Sequence, residues 1–527
     1  MLDREKIAEE SVRSGFFLAS GTAIATSVMA VSTILIGRFL GPELYGQYSL
    51  AFVVPQLFFL LTDLGLSQAV IKFTASLKLK GEASRLKKIL ELALLLRVSI
   101  GIALFCVTYV LADVLSSTFL QRPDLAFYVR AASFSILFQV IFATVTSAFI
   151  GLDKSEYNAL TTSLQAIGKA VASVALVLLG YGVAGAIVGY VASYAIAGAA
   201  GGVILFLILR QMRNIKESQR SRNDLRDVLR YGIPLYLSII VTALTPFYQN
   251  LILAIYVTDA EIGNYKAAVN FAVLMTVLSV PIASALLPTF SKIESDAKRE
   301  MKSFFKIAHK YTTLVIVPIA LLMILYSTEI VKTIYGTTYQ SAPSFLATYC
   351  SLYLLVGLGY ITLSSFYNGL GETKITFTTS LITFMVLLVL SPILAKIYAV
   401  QGIIVAFLLA SLAGTVYALH TARTRFQIAF DTRMLAKIYL VSVLSSIPCL
   451  LVSYFLSLPI LLNFVGGGIV YLLLYIVMTP ITGILTYDEV QTALRVIQRI
   501  RILRIFAVPV LKLQKMILEF RMRVHVD

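Results

Sequence analysis

Charge is what this chain has least of. Only 13% of its 527 residues are Asp, Glu, Lys or Arg, against 58% hydrophobic residues, and the mean hydropathy is +0.87. That composition excludes an ordinary soluble globular protein and points to a polytopic membrane protein. Cysteine is scarce as well. Cys106, Cys350 and Cys449 each lie in an apolar run, without metal-ligand spacing, so no disulfide framework or metal is implied. The three histidines, His309, His420 and His525, are scattered and form no ligand pair. GxxxxGK(S/T) and HExxH are both missing. No sizeable external loop carries an acidic pair, and no soluble stretch is large enough for an independent active site. These absences argue against an enzyme and against ATP-driven transport by this chain alone, and no cofactor is expected.

What the chain has in quantity is long apolar runs. About 20 apolar residues span a hydrocarbon core. That criterion predicts an all-α integral membrane protein of fourteen helices: 14–39, 46–72, 89–112, 126–150, 158–180, 183–209, 231–256, 263–290, 307–328, 344–370, 375–396, 400–421, 437–457 and 460–485. The first run is too long for a signal-peptide core and lacks a small-residue cleavage site, so it reads as a retained helix.

The net charge of +17 could suggest nucleic acid, but its placement argues otherwise. The alternate loops beginning with the N-terminal tail, counted with the span edges, hold 36 of the 44 basic residues. The opposite loops, without their span edges, hold Arg122, Lys332 and Lys396. By the positive-inside rule both termini are expected in the cytoplasm of a multi-pass protein of the cell membrane.

The chain also repeats. At an offset of 217, Arg13 and Gly15 fall on Arg230 and Gly232, Gly46 and Tyr48 on Gly263 and Tyr265, Phe73 on Phe290, and Phe149 on Phe366. "TTSL" at 161–164 falls on the same four letters at 378–381, and "YGVAGAIV" at 181–188 on "YAVQGIIV" at 398–405. The period covers six spans, an even number, so both copies share one orientation and relate by an axis along the membrane normal. The expected division is an N-lobe (1–210), a basic cytoplasmic linker (211–230), a C-lobe (231–422), two extra helices (423–485) and a basic amphipathic tail (486–527). The tail opens on a capping-box pattern, Thr486 and Glu489. It reads as a helix on the cytoplasmic membrane surface drawn by anionic lipid, or as a solvated helix that ends the chain. A lone GxGxxG at 180–185 has no strand before it, and its repeat copy has Ile397 and Ala399 at the first two glycines, so it reads as a turn. Gly185 and Gly189 read as a close helix contact.

Three charges lie deep in the spans: Asp63 in span 2, Arg97 in span 3 and Lys169 in span 5. Counted from the span ends, their depths are roughly 13–16 Å at the helical rise, about half of the ~30 Å core. Such residues cost about 2.5–3.5 kcal/mol each on insertion scales and normally face a bundle interior or wet cavity. Polar residues recur at helical spacing beside them: Gln56, Asp63 and Ser67; Gln165, Lys169 and Ser173; Ser135, Gln139 and Thr146. In the second copy the stripes are Thr242, Thr245 and Gln249, then Tyr360, Ser364 and Asn368. A central hydrophilic cavity would need such stripes, although the same residues also join helices by hydrogen bonds alone. At the repeat offset Asp63, Arg97 and Lys169 become Val280, Leu314 and Val386, so the scaffold can be built without these charges. The alternative is an ion pair that only locks two helices together.

The stretch "GTAIATSVMAVSTILIGRFLGPELYGQYSLAFVVPQLFFLLTDLGLSQAVIKF" (21–73), with "FIGLDKSEYNA" (149–159) and "FYNGLGETKIT" (367–377), resembles the polysaccharide-biosynthesis flippases. These are the O-antigen-type and archaeal lipid-linked-oligosaccharide exporters of the multidrug/oligosaccharidyl-lipid/polysaccharide exporter superfamily. The resemblance implies alternating access between two lobes around a cationic cavity. That cavity would accept the phosphate of a polyprenyl-phosphate-type glycolipid while the lipid tail stays in the bilayer. Arg97 and Lys169 are then the expected phosphate ligands, with Asp63 as their counter-ion and Gln56, Gln139, Gln165, Gln249 and Asn368 as further cavity residues. The rivals are a MATE-like antiporter, whose site should be net acidic, a membrane-embedded glycosyltransferase or ligase, and a purely structural membrane protein. A coupling ion, H+ or Na+, fits as well as passive flipping. The expected partners are the lipid-linked glycan, membrane lipids and, functionally, glycosyltransferases; nucleic acid is not expected, and a monomer is.

Overall fold

The computed structural model describes residues 4–211, 224–291, 298–428, 430–455, 459–497 and 501–524. Most of the expected basic linker, 212–223, lies outside the described residues. Among the described residues there is no strand, and the chain is helical almost throughout. This all-α architecture follows from the apolar runs. In lipid, every backbone N–H and C=O must be satisfied internally, and a helix does so within one segment.

In chain order the helices are α1 (Arg4–Ala51), α2 (Val53–Leu61), α3 (Leu66–Lys80), α4 (Ala83–Val110), α5 (Ala112–Val114), α6 (Ala126–Gly151), α7 (Ser155–Leu176), α8 (Gly182–Gln211) and α9 (Asp224–Tyr256). They continue as α10 (Asp259–Ser291), α11 (Lys298–Leu325), α12 (Ser327–Tyr335), α13 (Ala342–Cys350), α14 (Thr362–Gly369), α15 (Thr373–Arg425), α16 (Thr432–Phe455), α17 (Ile460–Ile481), α18 (Tyr487–Ile497) and α19 (Arg501–Val524). Eight helical runs among the described residues are long and apolar enough to cross a membrane. They become nine if the bent pair Ala342–Leu358 and Thr362–Gly369 is one span. Three of the eight are 41, 57 and 53 residues long. At the helical rise, 53 residues reach about 80 Å, far beyond a ~30 Å hydrocarbon core. Each of the three contains a non-helical break, at Gly41, at Gly180 and at Ala399. The chain is therefore a multi-pass membrane protein; fourteen is a finer count than length and composition support. Large apolar side chains such as Leu179, Val110 and Phe206 stand open on helix surfaces, as lipid-facing residues do.

The repeat is visible in the backbone. Gly182 takes φ 54°, ψ −135° between α7 and α8, and Ala399, 217 residues on, takes φ 47°, ψ −127° inside α15. The GxGxxG segment is thus a turn. Glycine adopts that conformation without strain and alanine does not, so the second copy holds the same turn at a conformational cost.

By backbone proximity the chain divides into two compact units. The first comprises 1–270 with 387–403, the second 271–386 with 404–527. In the first, α7 lies against α1 and α8, and α6 against α8 and α4. Gly189 is a point of closest approach there: a Cβ on it would meet the backbone N of Ser173 at 2.3 Å. In the second, one core gathers Phe305, Phe366, Tyr367 and Ala422. Another joins Val490, Leu494, Val508 and Leu518 of the tail to Leu485, just before it, and to Tyr311 and Leu314. The tail's capping box forms: Thr486 N–H donates to Glu489 Oε2 at 2.9 Å, and Glu489 N–H to Thr486 Oγ1 at 3.4 Å.

Candidate functional site

Asp63 does not sit within a helix, as its apolar neighbours suggested. α2 ends at Leu61 and α3 begins at Leu66, and between them Leu64 and Gly65 take positive φ, 43° and 78°. The break leaves the first N–H groups of α3 without intrahelical acceptors. Asp63 Oδ1 accepts one of them, from Ser67, at 2.9 Å. Gln56, Asp63 and Ser67 therefore do not share one continuous helix face.

The same carboxylate faces α4. Arg97 Nη2 lies 3.3 Å from Asp63 Oδ1, with the arginine side chain 3% exposed and the aspartate 17%. Arg97 Nη1 donates to Ser67 Oγ at 2.8 Å, and its guanidinium stands 5.9 Å from the centre of the Phe59 ring. The pair forms part of the wall of a cavity of about 420 Å³, lined also by Gln56, Phe52, Phe247 and Asn250. That volume lies within the usual range of ligand sites, and a mostly apolar wall with a few convergent polar groups is their usual chemistry.

Lys169 is elsewhere, so the expectation that Asp63 faces both bases is corrected. Lys169 Nζ donates to Thr33 Oγ1 of α1 at 3.0 Å and lies 5.6 Å from the Tyr190 ring centre. Among the described residues no carboxylate pairs with it. It connects to the cavity through one ring, since Gln56 Nε2 donates to Tyr190 Oη at 3.0 Å. Equal depth along two helices does not fix their azimuth, and α7 turns Lys169 toward α1.

The other expected residues divide. Gln165 Nε2 donates to Ser193 Oγ, and Ser173 Oγ to the Ala186 carbonyl; these two join α7 to α8. Gln139 and Gln249 are buried, and among the described residues the side-chain amide nitrogen of each has no hydrogen-bond partner. Asn368 Oδ1 accepts from Thr376 Oγ1 at 2.9 Å within its own turn, in the second unit. Tyr360 precedes α14 in a break, so Tyr360, Ser364 and Asn368 are not one helical stripe. The side chain of Thr242 lies outside the described residues.

Three features escaped the sequence. Lys266, in α10, is a further cation, donating to Asn250 Oδ1 at 2.5 Å; it stands only three residues past Gly263, where a span is expected to begin, so its depth gave no signal. An aromatic series runs Tyr45–Tyr48–Phe52–Tyr190–Tyr194–Phe142, with successive ring centres 4.5–6.2 Å apart. The steps 45–48–52 and 190–194 are helical spacings and were its only signal. Third, Arg122 clasps the end of α9. It pairs with Asp259 at 3.3 Å and donates to the carbonyls of Ala254 and Val257, while Gln47 Nε2 donates to Asp259 Oδ2 at 3.2 Å. Beside this clasp, Cβ atoms built on Gly46 and Gly263 would meet the carbonyl oxygens of Asp259 and Pro42 at 1.9 and 1.8 Å. Those four positions are two pairs at the repeat offset, so each copy packs its glycine on the other's helix start.

Broken helices, buried charge beside a cavity and apolar side chains open on helix surfaces fit a membrane-transport fold, and the solved structures that match carry such a fold. A lipid II flippase, MurJ, in an inward closed conformation aligns with a TM-score of 0.73 at 18% identity, covering 89% of this chain and 98% of that one. An inward-facing MATE multidrug transporter of the MOP superfamily aligns at 0.62 and 14%, covering 78% and 98%. The lipopolysaccharide biosynthesis protein WzxC of Escherichia coli is 23% identical over 357 residues, 67% of this chain and 69% of WzxC. The sequence profile described as polysaccharide biosynthesis protein matches residues 11–294. The chain belongs to that polysaccharide-biosynthesis family, and its fold is the one that the flippase and the multidrug transporter share.

Proposed function

We propose that this protein moves a lipid-linked glycan, carried on a polyprenyl-phosphate-type lipid, from the cytoplasmic to the outer leaflet by alternating access. The observation that carries the reading is Arg97, held by Asp63 and Ser67 in the wall of a cavity, with Lys169 one aromatic ring away. Arginine presents a planar fork that suits phosphate oxygens, and lysine a point charge. Counting Arg97, Lys169 and Lys266 against Asp63, the cavity and its surroundings carry 3 − 1 = +2, which favours an anionic substrate over the organic cation of a MATE-like antiporter. The names of WzxC and MurJ, a lipopolysaccharide biosynthesis protein and a lipid II flippase, agree with such cargo.

Phosphate entering the cavity would compete with Asp63 for Arg97. That gives the substrate a differential interaction with two conformations, which any ligand-driven change requires. The charge bias of the loops supports cytoplasmic termini, which would leave the clasp of Arg122, Asp259 and Gln47 on the outer side. On this reading the clasp is a contact that parts during transport. The test uses proteoliposomes containing a fluorescent polyprenyl-phosphate glycan whose outer-leaflet fraction is read with a lectin or a membrane-impermeant quencher. Arg97→Gln and Lys169→Gln should lose flipping while remaining folded and inserted. Normal flipping by both variants would overturn the cationic-site reading.

A further inference from the structure

The tail helix α19 carries three lengthwise stripes of different chemistry. Leu511, Gln514, Leu518 and Arg521 form the stripe turned to the protein. Gln514 Nε2 donates to the Thr479 hydroxyl at 3.3 Å and the Ile476 carbonyl at 3.5 Å, and Arg521 Nη1 to the Pro480 carbonyl at 3.1 Å. Leu518 belongs to the tail core, with Leu511 packed against it. Pro509, Leu513, Met516 and Phe520 form a second stripe at steps of four, three and four. It stands open: Met516 is 66% exposed and Phe520 70%. Lys512, Lys515 and Glu519 form the third, where Lys515 bridges to Glu519 at 3.6 Å and Lys512 is exposed.

We propose that α19 is a membrane-interface helix bolted to the end of α17, with its second stripe in the acyl boundary and its third among anionic lipid headgroups. Depth carries the first half of this. The atoms that hold α19 belong to Ile476, Thr479 and Pro480, in the last turns of α17, a helix apolar enough to span. The helix therefore lies at the level where that span leaves the hydrocarbon. Met478 and Ile481 of α17 are themselves open at that level, so the stripe continues an apolar surface already given to lipid. Charge carries the second half. From Thr486 onward the tail has eight Lys and Arg against four Asp and Glu, and each basic residue near an anionic surface adds to the attraction. A helix with apolar and basic flanks lies in the interface plane. A solvated helix, the other reading of the sequence, would leave Met516 and Phe520 in water without any contact that requires them.

The test uses the full chain, with Cys106, Cys350 and Cys449 replaced, in nanodiscs made with and without phosphatidylglycerol. A nitroxide is placed at Met516→Cys or Lys512→Cys, both exposed positions whose labelling leaves the docking stripe intact. Power saturation with oxygen and with an aqueous nickel chelate reads the surroundings. The expected result is an oxygen-to-nickel accessibility ratio several-fold higher at 516 than at 512, and deeper immersion of 516 with phosphatidylglycerol present. A Lys512→Gln change in the 516-labelled chain should weaken that lipid dependence. Nickel access at 516 equal to that at 512 would overturn the proposal in favour of a solvated helix. A 516 label closed to both reagents would overturn it in favour of a protein partner or second copy.

Discussion

Removing Asp63 should do more damage than removing Asp63 and Arg97 together. Arg97 is 3% exposed and 3.3 Å from Asp63, its one ion-pair partner among the described residues, where its Nε has no hydrogen-bond partner. Breaking a buried pair from one side costs about 3–5 kcal/mol, because a charge is left without compensation. Asp63 is 17% exposed and borders a cavity, so Asp63→Ala should fall near the lower end, at about 3 kcal/mol. Asp63→Asn keeps an acceptor for the Ser67 N–H and should cost less. Arg97→Gln added to Asp63→Asn removes the stranded charge and should recover part of the loss, with a coupling of ~1–3 kcal/mol. The chain has no tryptophan, so the readout is hydrogen exchange of α3 and α4 in detergent. Flipping should not recover with stability. If Arg97 supplies a charge-assisted phosphate bond of ~1.5–3 kcal/mol, the double variant stays roughly 10- to 100-fold slow. Additive effects in the cycle would refute the pairing argument. Recovered flipping in the double variant would refute the phosphate role and leave the pair as a helix lock.

Other outcomes follow from the same geometry. Gly46→Ala and Gly263→Ala should each push the crossed helix starts apart, since the new Cβ would fall within 2 Å of a carbonyl oxygen. Melting of the purified protein should fall by similar amounts for the two. Arg122→Ala should loosen the outer clasp and raise labelling of Asn250→Cys by a membrane-impermeant thiol reagent added outside; unchanged labelling would remove the clasp from the gate. Tail docking should fail in acid. Burial pushes the Glu489 carboxyl up, but Lys310 at 2.7 Å and the Thr486 N–H more than offset this and hold it below the ordinary range. A depressed carboxyl contributes stability that is complete above its unfolded value, about 4.3, and is lost as pH falls through the lower folded value. Protease access to the loop before α18 should rise there, and Lys310→Gln should raise it already at neutral pH. Asp431, lowered by the Lys306 hydrogen bond and the Met434 N–H, should act in the same direction.

Much of this was legible in the chain. Apolar runs dictate helices wherever backbone groups cannot reach water, so the all-α membrane class followed from composition and length. The offset of 217 was readable because repeated turns need the same backbone, as Gly182 and Ala399 show. The deep charges stood out because hydrocarbon makes them costly. Their partners were not legible. Asp63 looked helical because apolar spacing continues through Thr62 to Gly65, and only the folded chain reveals the break that turns its carboxylate toward Arg97.

What the sequence determined by itself is therefore the one-dimensional part: class, repeat, charge bias and which residues are too polar for their surroundings. The tertiary structure decided azimuth and adjacency. It turned Lys169 to Thr33 and Tyr190 instead of Asp63, and spent Gln165 and Ser173 on joining helices. It also set Lys266 on Asn250 at the cavity. These choices depend on how each helix is rotated against its neighbours, and a rotation of 100° per residue is lost from any count of depth along a span.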